Sequence, residues 1–215
     1  MSYLPSPAGF WKRYVAYFID AVILYIVVEL LSAVFFAFRA QSEFDSVMAM
    51  IRSLRSSQEL GEVPDLQAMV QTLENVLLPS LVFSSTAYIV LAGVYFSVME
   101  SSRHQATLGK RMLGIKVTNA NGAPIELSQS IARFVAAGLS WISLNLGHAF
   151  AAWTPERRAL HDYIAGTRVE NADPKNTAMP IWAWLIIAAH ALIFIGSIFL
   201  MVFLMWFLMQ QISAI

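Results

Sequence analysis

The chain has 215 residues, 58% hydrophobic and only 13% charged, with a mean hydropathy of +0.60. Soluble domains run nearer a quarter charged, so the deficit points to lipid as the solvent. Fourteen basic residues balance fourteen acidic ones, which removes any bulk electrostatic case for nucleic acid; with no cysteine, disulfides and thiolate metal sites are excluded.

Residues 1–13 are expected to form a cytoplasmic N-terminus. The opening MSYLPSPAGFWKR lacks the short apolar core and small-residue cleavage site of a signal peptide, so the first membrane helix is expected to stay in the mature protein. Pro5 and Pro7 keep this segment out of the helix that follows. Phe10 and Trp11 suit the interface, and Lys12 and Arg13 suit the cytoplasmic side. Residues 14–38 are apolar except for Asp20, Glu29 and Ser32, and are long enough to span. An acid such as Asp20 at that depth costs at least about 2.5 kcal/mol, so something must hold it there.

Residues 39–75 carry three basic and six acidic residues and are expected to lie outside the cytoplasm. Phe44, Val47, Met48, Ile51 and Leu54 repeat at helical spacing, as do Leu66, Met69, Val70 and Leu73. Two amphipathic helices are expected, broken near Gly61 to Pro64, with 76–99 as the second span. The segment 100–133 is basic. Within it Ile115-Lys-Val-Thr alternates like a strand, Asn121-Gly122 reads as a turn, and Ala123-Pro-Ile125 is expected to return along it. Residues 134–153 are just long enough for one span, but Ser140, Ser143, Asn145, Gly147 and His148 make the centre polar. In 154–178, Thr154-Pro155-Glu156 reads as the start of a short helix through Ala165, stopped by Gly166, with a strand at Thr167 to Glu170. Residues 180–209 form the last span, with Trp182, Trp184 and Trp206 near its ends.

Whether 134–153 crosses or re-enters decides which residues can meet. With a crossing, the basic residues divide seven against seven. With a re-entrant hairpin, Arg157, Arg158, Arg168 and Lys175 move inside and the split is eleven against three. The positive-inside rule prefers the hairpin. The two strand-like pieces, each too short alone, can pair only on one side. The expected fold is therefore an all-α polytopic membrane protein: three spanning helices, a re-entrant helical hairpin and a small cytoplasmic β element, with four spanning helices as the alternative.

Three pieces together resemble the RDD family of bacterial integral membrane proteins. They are Arg13 with Asp20; Gln105-Ala-Thr-Leu-Gly-Lys-Arg-Met-Leu-Gly-Ile-Lys-Val117 ahead of Asn121-Gly122 and Arg133; and Arg158-Ala-Leu-His-Asp-Tyr-Ile-Ala-Gly-Thr167. The family is named for one arginine and two aspartates, which map here onto Arg13, Asp20 and Asp162. The likeness runs from about Gly9 to Val169, leaving out the acidic loop and the last helix. It implies a membrane protein of the bacterial inner membrane with a role in transport, and no established catalytic activity.

Arg13 and Asp20 are two turns apart with about 10 Å of rise between them, and Tyr17 lies between them on the same face. Helical side chains lean toward the N-terminus, so contact within one helix is not expected. Lys110, Arg133, Arg158 and His161 are the candidate partners of Asp20. Either a polar clamp or an ion site follows. Asp162 either pairs with Arg158 one turn back or turns inward to Arg13. Glu29 falls on the opposite face from Asp20; His148 and His190 are candidate partners for it or packed core residues. Thr107-Leu-Gly-Lys110 lacks the first glycine of a phosphate loop, and Lys110 with Arg111 suits anionic headgroups instead. His161-Asp162 has no second histidine at ligand spacing. No cofactor and no enzymatic activity are expected, given no His-Glu-x-x-His and no Gly-x-Ser-x-Gly. The expected partners are membrane lipids, an ion or small solute bound at Arg13, Asp20 and Asp162, and a protein partner or second copy of the chain. The alternative function is a membrane scaffold or assembly factor that transports nothing.

Overall fold

The computed structural model describes residues 6–61, 63, 66–143 and 145–212, without the side chains of Ala68, Gln211 and Ile212. The roles expected for Pro5 and Pro64 lie outside the described residues. The chain divides into two compact units, Met1–Ile19 with Glu100–Ile215, and Asp20–Met99.

Helix α1 spans Phe10–Leu60, 51 residues and about 77 Å. The break expected at residue 39 is absent, because nothing between Phe10 and Leu60 is a proline or a glycine. Pairs one turn apart also support the polar half: Arg39 to Glu43 at 3.1 Å and Arg55 to Glu59 at 3.0 Å. The helix stops where Gly61 takes the left-handed φ of +67°. Next come α2 (Leu66–Thr72), one π-helical turn (Leu73–Leu77) and α3 (Leu78–Ser101).

Within the second unit, α1 and α3 run antiparallel. Asp20 meets Tyr95, Ser32 meets Ser84 at 3.0 Å, and Phe35 stacks on Phe83 at 4.2 Å between ring centroids. Arg39 donates to the Asn75 carbonyl at 2.7 Å. That carbonyl lies in the π turn, where the ordinary i→i+4 ladder is interrupted.

The first unit holds α4 (Leu108–Met112), β1 (Ile115–Asn119), α5 (Leu127–Ile142), α6 (Leu146–Trp153), α7 (Leu160–Ile164), β2 (Thr167–Asn171) and α8 (Ile181–Ile212). Strands β1 and β2 pair antiparallel, Ile115 opposite Asn171 and Asn119 opposite Thr167. Pro7 bridges Glu170, so the segment before α1 lies along β2. The inner side of this sheet, Ile115, Val117 and Val169, forms a core with Ala8, Val15, Ala16 and Ala183. Ala123-Pro-Ile125 makes no strand beside β1. Pro124 has no N–H to give a ladder, and Asn119 closes the loop through its side chain to the Ala123 N–H at 3.0 Å.

The helix expected from Pro155 begins only at Leu160. Thr154 Oγ1 accepts from the Arg158 N–H at 2.9 Å and closes a turn instead, and Arg157 takes a φ of +51°. Asp162 then caps α7 by accepting from the Ala159 N–H at 2.9 Å, and Gly166 ends it at φ +65°.

Among the described residues, three helices are long and apolar enough to cross a membrane: Phe10–Leu60, Met69–Ser101 and Ile181–Gln210. Helices α5 and α6 bend by 101° between them and make a fourth only if the pair counts as one span. Neither reaches the roughly 30 Å of a bilayer core alone, at about 24 and 12 Å. Asn145 makes the bend in the left-handed region, φ +66°. Gly147 lets α6 fold back closely: a Cβ there would sit 3.0 Å from Ser140 Cβ and 3.3 Å from Leu160 Cβ. The expected fold class therefore holds, an all-α polytopic membrane protein with a two-stranded sheet.

Candidate functional site

The first unit buries a ladder of alternating charge. Its centre is Asp162, fully buried on α7. One carboxylate oxygen receives Arg13 of α1 at 2.5 Å, and the other receives Arg133 of α5. Arg133 also donates to Glu100 through Nε at 2.9 Å and to Thr167 Oγ1 at 3.0 Å. Glu100, at the end of α3, closes the ladder by pairing with Lys110 of α4. The order Arg13, Asp162, Arg133, Glu100, Lys110 places each carboxylate between two cations.

Each element delivers its rung for a local reason. Glu100 ends an apolar helix, where the chain turns polar. Lys110 sits in the helix capped by Thr107, whose hydroxyl accepts from the Lys110 N–H at 3.4 Å. Arg133 is on the buried side of α5, with Ser130, Ala136 and Ser140. Arg13 is held further by the carbonyls of Ala8 at 3.3 Å and Val169 at 3.4 Å, so the sheet and the start of α1 aim it. Removing these charges from water costs several kcal/mol per ion, and the pairing offsets that cost.

Of the predicted site residues, Arg13 and Arg133 meet Asp162 directly, and Lys110 joins them through Glu100. The helix pair of Arg158 with the Asp162 carboxylate is not the arrangement found. The Arg158 guanidinium donates to the backbone oxygens of Asp162 and Thr167 at 2.9 and 3.0 Å, reaches Glu156 at 3.2 Å, and lies over the Tyr163 ring. Asp162 is thereby released to face inward.

His161 is buried, with Nε2 3.6 Å from Asp162 Oδ1. Burial first, and then the positive charges of Arg133, Arg13 and Lys110, hold its pKa well below 6.5, so it is neutral. Its ring lies 4.9 Å from that of His148, which lies 5.7 Å from Tyr17. The Nδ1 atoms of His148 and His161 are buried and have no hydrogen-bond partner among the described residues.

Asp20 belongs to the second unit. It is fully buried and accepts from the Tyr95 hydroxyl at 2.7 Å. The sequence points to a cation as its partner; the Tyr95 hydroxyl is a neutral donor that the sequence reading does not include. Glu29 is exposed, and His190 is a packed residue, edge-on to Phe18 with Nδ1 2.8 Å from the Ile186 carbonyl oxygen. Sequence reasoning missed Glu100 and Tyr95.

Three long apolar helices among the described residues, in a chain that also buries an ionic cluster, define a polytopic membrane protein. The comparisons give its family: the chain belongs to the RDD family, whose model matches residues 7–166. That interval contains the whole ladder and Asp20, and ends before β2 and α8. Over 170 residues the chain is 32% identical to Uncharacterized protein YxaI of Bacillus subtilis (strain 168), covering 77% of this chain and 98% of that protein. Over 72 residues it is 36% identical to Uncharacterized protein YckC of the same organism, 31% of this chain and 48% of that protein. No solved structure matches.

Proposed function

We propose that the protein binds an ion or small solute at this buried Arg/Asp site and moves it across the bacterial inner membrane. The observation that carries the reading is the pair of buried imidazole nitrogens, Nδ1 of His148 and of His161, that have no hydrogen-bond partner among the described residues. A buried polar atom without a partner costs free energy, and a bound ligand or its water removes that cost. Arg13 and Asp162 position the site, and His161 and His148 offer the open hydrogen-bonding positions. Asp20 is the second family acid and a separate polar point.

A second reading has its own support. Both Asp162 oxygens are already taken by guanidinium groups, which suits a clamp in a scaffold that transports nothing. Flux in proteoliposomes separates the two, with sodium, potassium, protons and small anions offered in turn to wild type, Asp20→Asn and His161→Gln. Transport by wild type that a well-folded variant loses upholds the first reading. No flux from wild type with any of them leaves the scaffold.

A further inference from the structure

The first unit contains a cavity of about 350 Å³ that shares no side chain with the ladder. Its size falls at the lower end of ligand sites, roughly 300–1,000 Å³. Two cations line it, Lys12 from the first turn of α1 and Arg111 from α4, and no carboxylate does so among the described residues. Lys12 is 5% exposed, and its ammonium gives one hydrogen bond to Asn171 Oδ1 at 2.9 Å. An ammonium has three protons, and among the described residues two remain for a ligand. Arg111 is exposed.

The backbone completes the polar side. Gly114, at φ +62°, turns the chain from α4 into β1 at the cavity's edge. Pro180 precedes α8, and its carbonyl accepts from the Ala183 N–H at 3.0 Å. The positive end of that 32-residue helix therefore begins at the cavity wall. Asn176 adds a neutral polar side chain, and the apolar part of the lining includes Met179 and Trp182 at the entry of α8 into its long apolar run. Tryptophan at the end of a membrane helix marks the headgroup level.

We infer that this cavity holds the phosphate of an anionic phospholipid, with Lys12 and Arg111 on the phosphate and Met179 and Trp182 against the glycerol and upper acyl chain. Cations joined to an apolar wall at the foot of a spanning helix match both halves of such a molecule. A water-soluble phosphate compound shares the phosphate chemistry but leaves the apolar wall unused. The inference does not rest on transport: a protein without flux can still hold the lipid, and one that holds no lipid can still transport.

Native mass spectrometry of the full chain in neutral detergent tests it, titrating phosphatidylglycerol against phosphatidylcholine. Phosphatidylglycerol is expected to bind about fivefold tighter or more, and Arg111→Gln to lose about that factor. Arg111 is exposed, so its variant is expected to fold; Lys12→Gln is read only if its melting temperature matches wild type. Millimolar inorganic phosphate is the second arm. Failure to displace the lipid assigns the site to phospholipid, and displacement assigns the same cations to a free phosphate. Equal binding of the two lipids, or an Arg111→Gln variant that binds like wild type, overturns the inference.

Discussion

Replacing Asp162 by asparagine keeps the side-chain shape and removes its charge. In the native protein the carboxylate accepts from Arg13, Arg133 and the Ala159 N–H. The asparagine amide would turn a donor toward a guanidinium. The two arginines do not suffer equally. Arg133 keeps Glu100 at 2.9 Å, whereas Arg13 keeps only the carbonyls of Ala8 and Val169, both beyond 3.2 Å. The uncompensated buried charge is therefore Arg13. Breaking a buried pair from one side costs about 3–5 kcal/mol. At about 2–4 °C per kcal/mol for a chain of this size, the apparent melting temperature in detergent should fall by about 6–20 °C. Adding Arg13→Gln to Asp162→Asn should recover part of the loss, and more than adding Arg133→Gln, which leaves Glu100 short of a partner. Tryptophan fluorescence at one fixed scan rate reads all four proteins, since unfolding of membrane proteins is commonly irreversible. A single variant that melts within about 2 °C of wild type, or a better rescue by Arg133→Gln, would refute the ladder as a source of stability.

Two further outcomes follow from the geometry. Because the folded protein holds His161 neutral below its ordinary pKa of 6.5, the unfolded chain binds the extra proton first, so stability is full above about pH 6.5 and falls as pH drops toward the folded pKa, by about 1.4 kcal/mol per unit; His161→Gln should flatten that part of the curve, and melting series from pH 7.5 to 5 on both proteins check it. Single cysteines at Ala172 and Ser56 should label from opposite faces of the membrane, with Ala172 on the cytoplasmic side; labelling from one face would contradict the re-entrant hairpin.

Periodicity carried the elements whose physics is local. Both strands were legible because Ile115, Val117 and Val169 alternate with polar residues, and neither strand can exist without the other. The run of α1 beyond Phe38 was less legible. The polar residues there suggest the end of a helix, but polarity ends only the apolar surface. A helix ends where its backbone conformation or hydrogen bonding fails, and the first residue that favours such a change is Gly61. The Thr154-Pro155 start misled for a related reason: the capping residue was present, but its hydroxyl closed a turn onto Arg158 that competes with a helix.

The site's shortfall has a cause that sequence arithmetic contains. The sequence places Arg13, Lys110, Arg133 and Arg158 on one side of the membrane, and of the two family acids only Asp162 lies in the same half of the chain as the last three. Four cations cannot be buried or half-buried around one carboxylate, because each unpaired ion costs several kcal/mol. A second acid was therefore required on the same side, and among the residues flanking the basic segment Glu100 directly precedes it. Glu100 both ends the apolar run of α3 and supplies that acid. Arg158 resolves the remaining charge differently, with backbone oxygens, the exposed Glu156 and the Tyr163 ring as partners, none of which a search for carboxylate partners at ladder depth would include. The five-rung cluster therefore takes the arginine and one of the two aspartates of the family, Arg13 and Asp162, and adds Arg133, Glu100 and Lys110, while Asp20 stands apart from it.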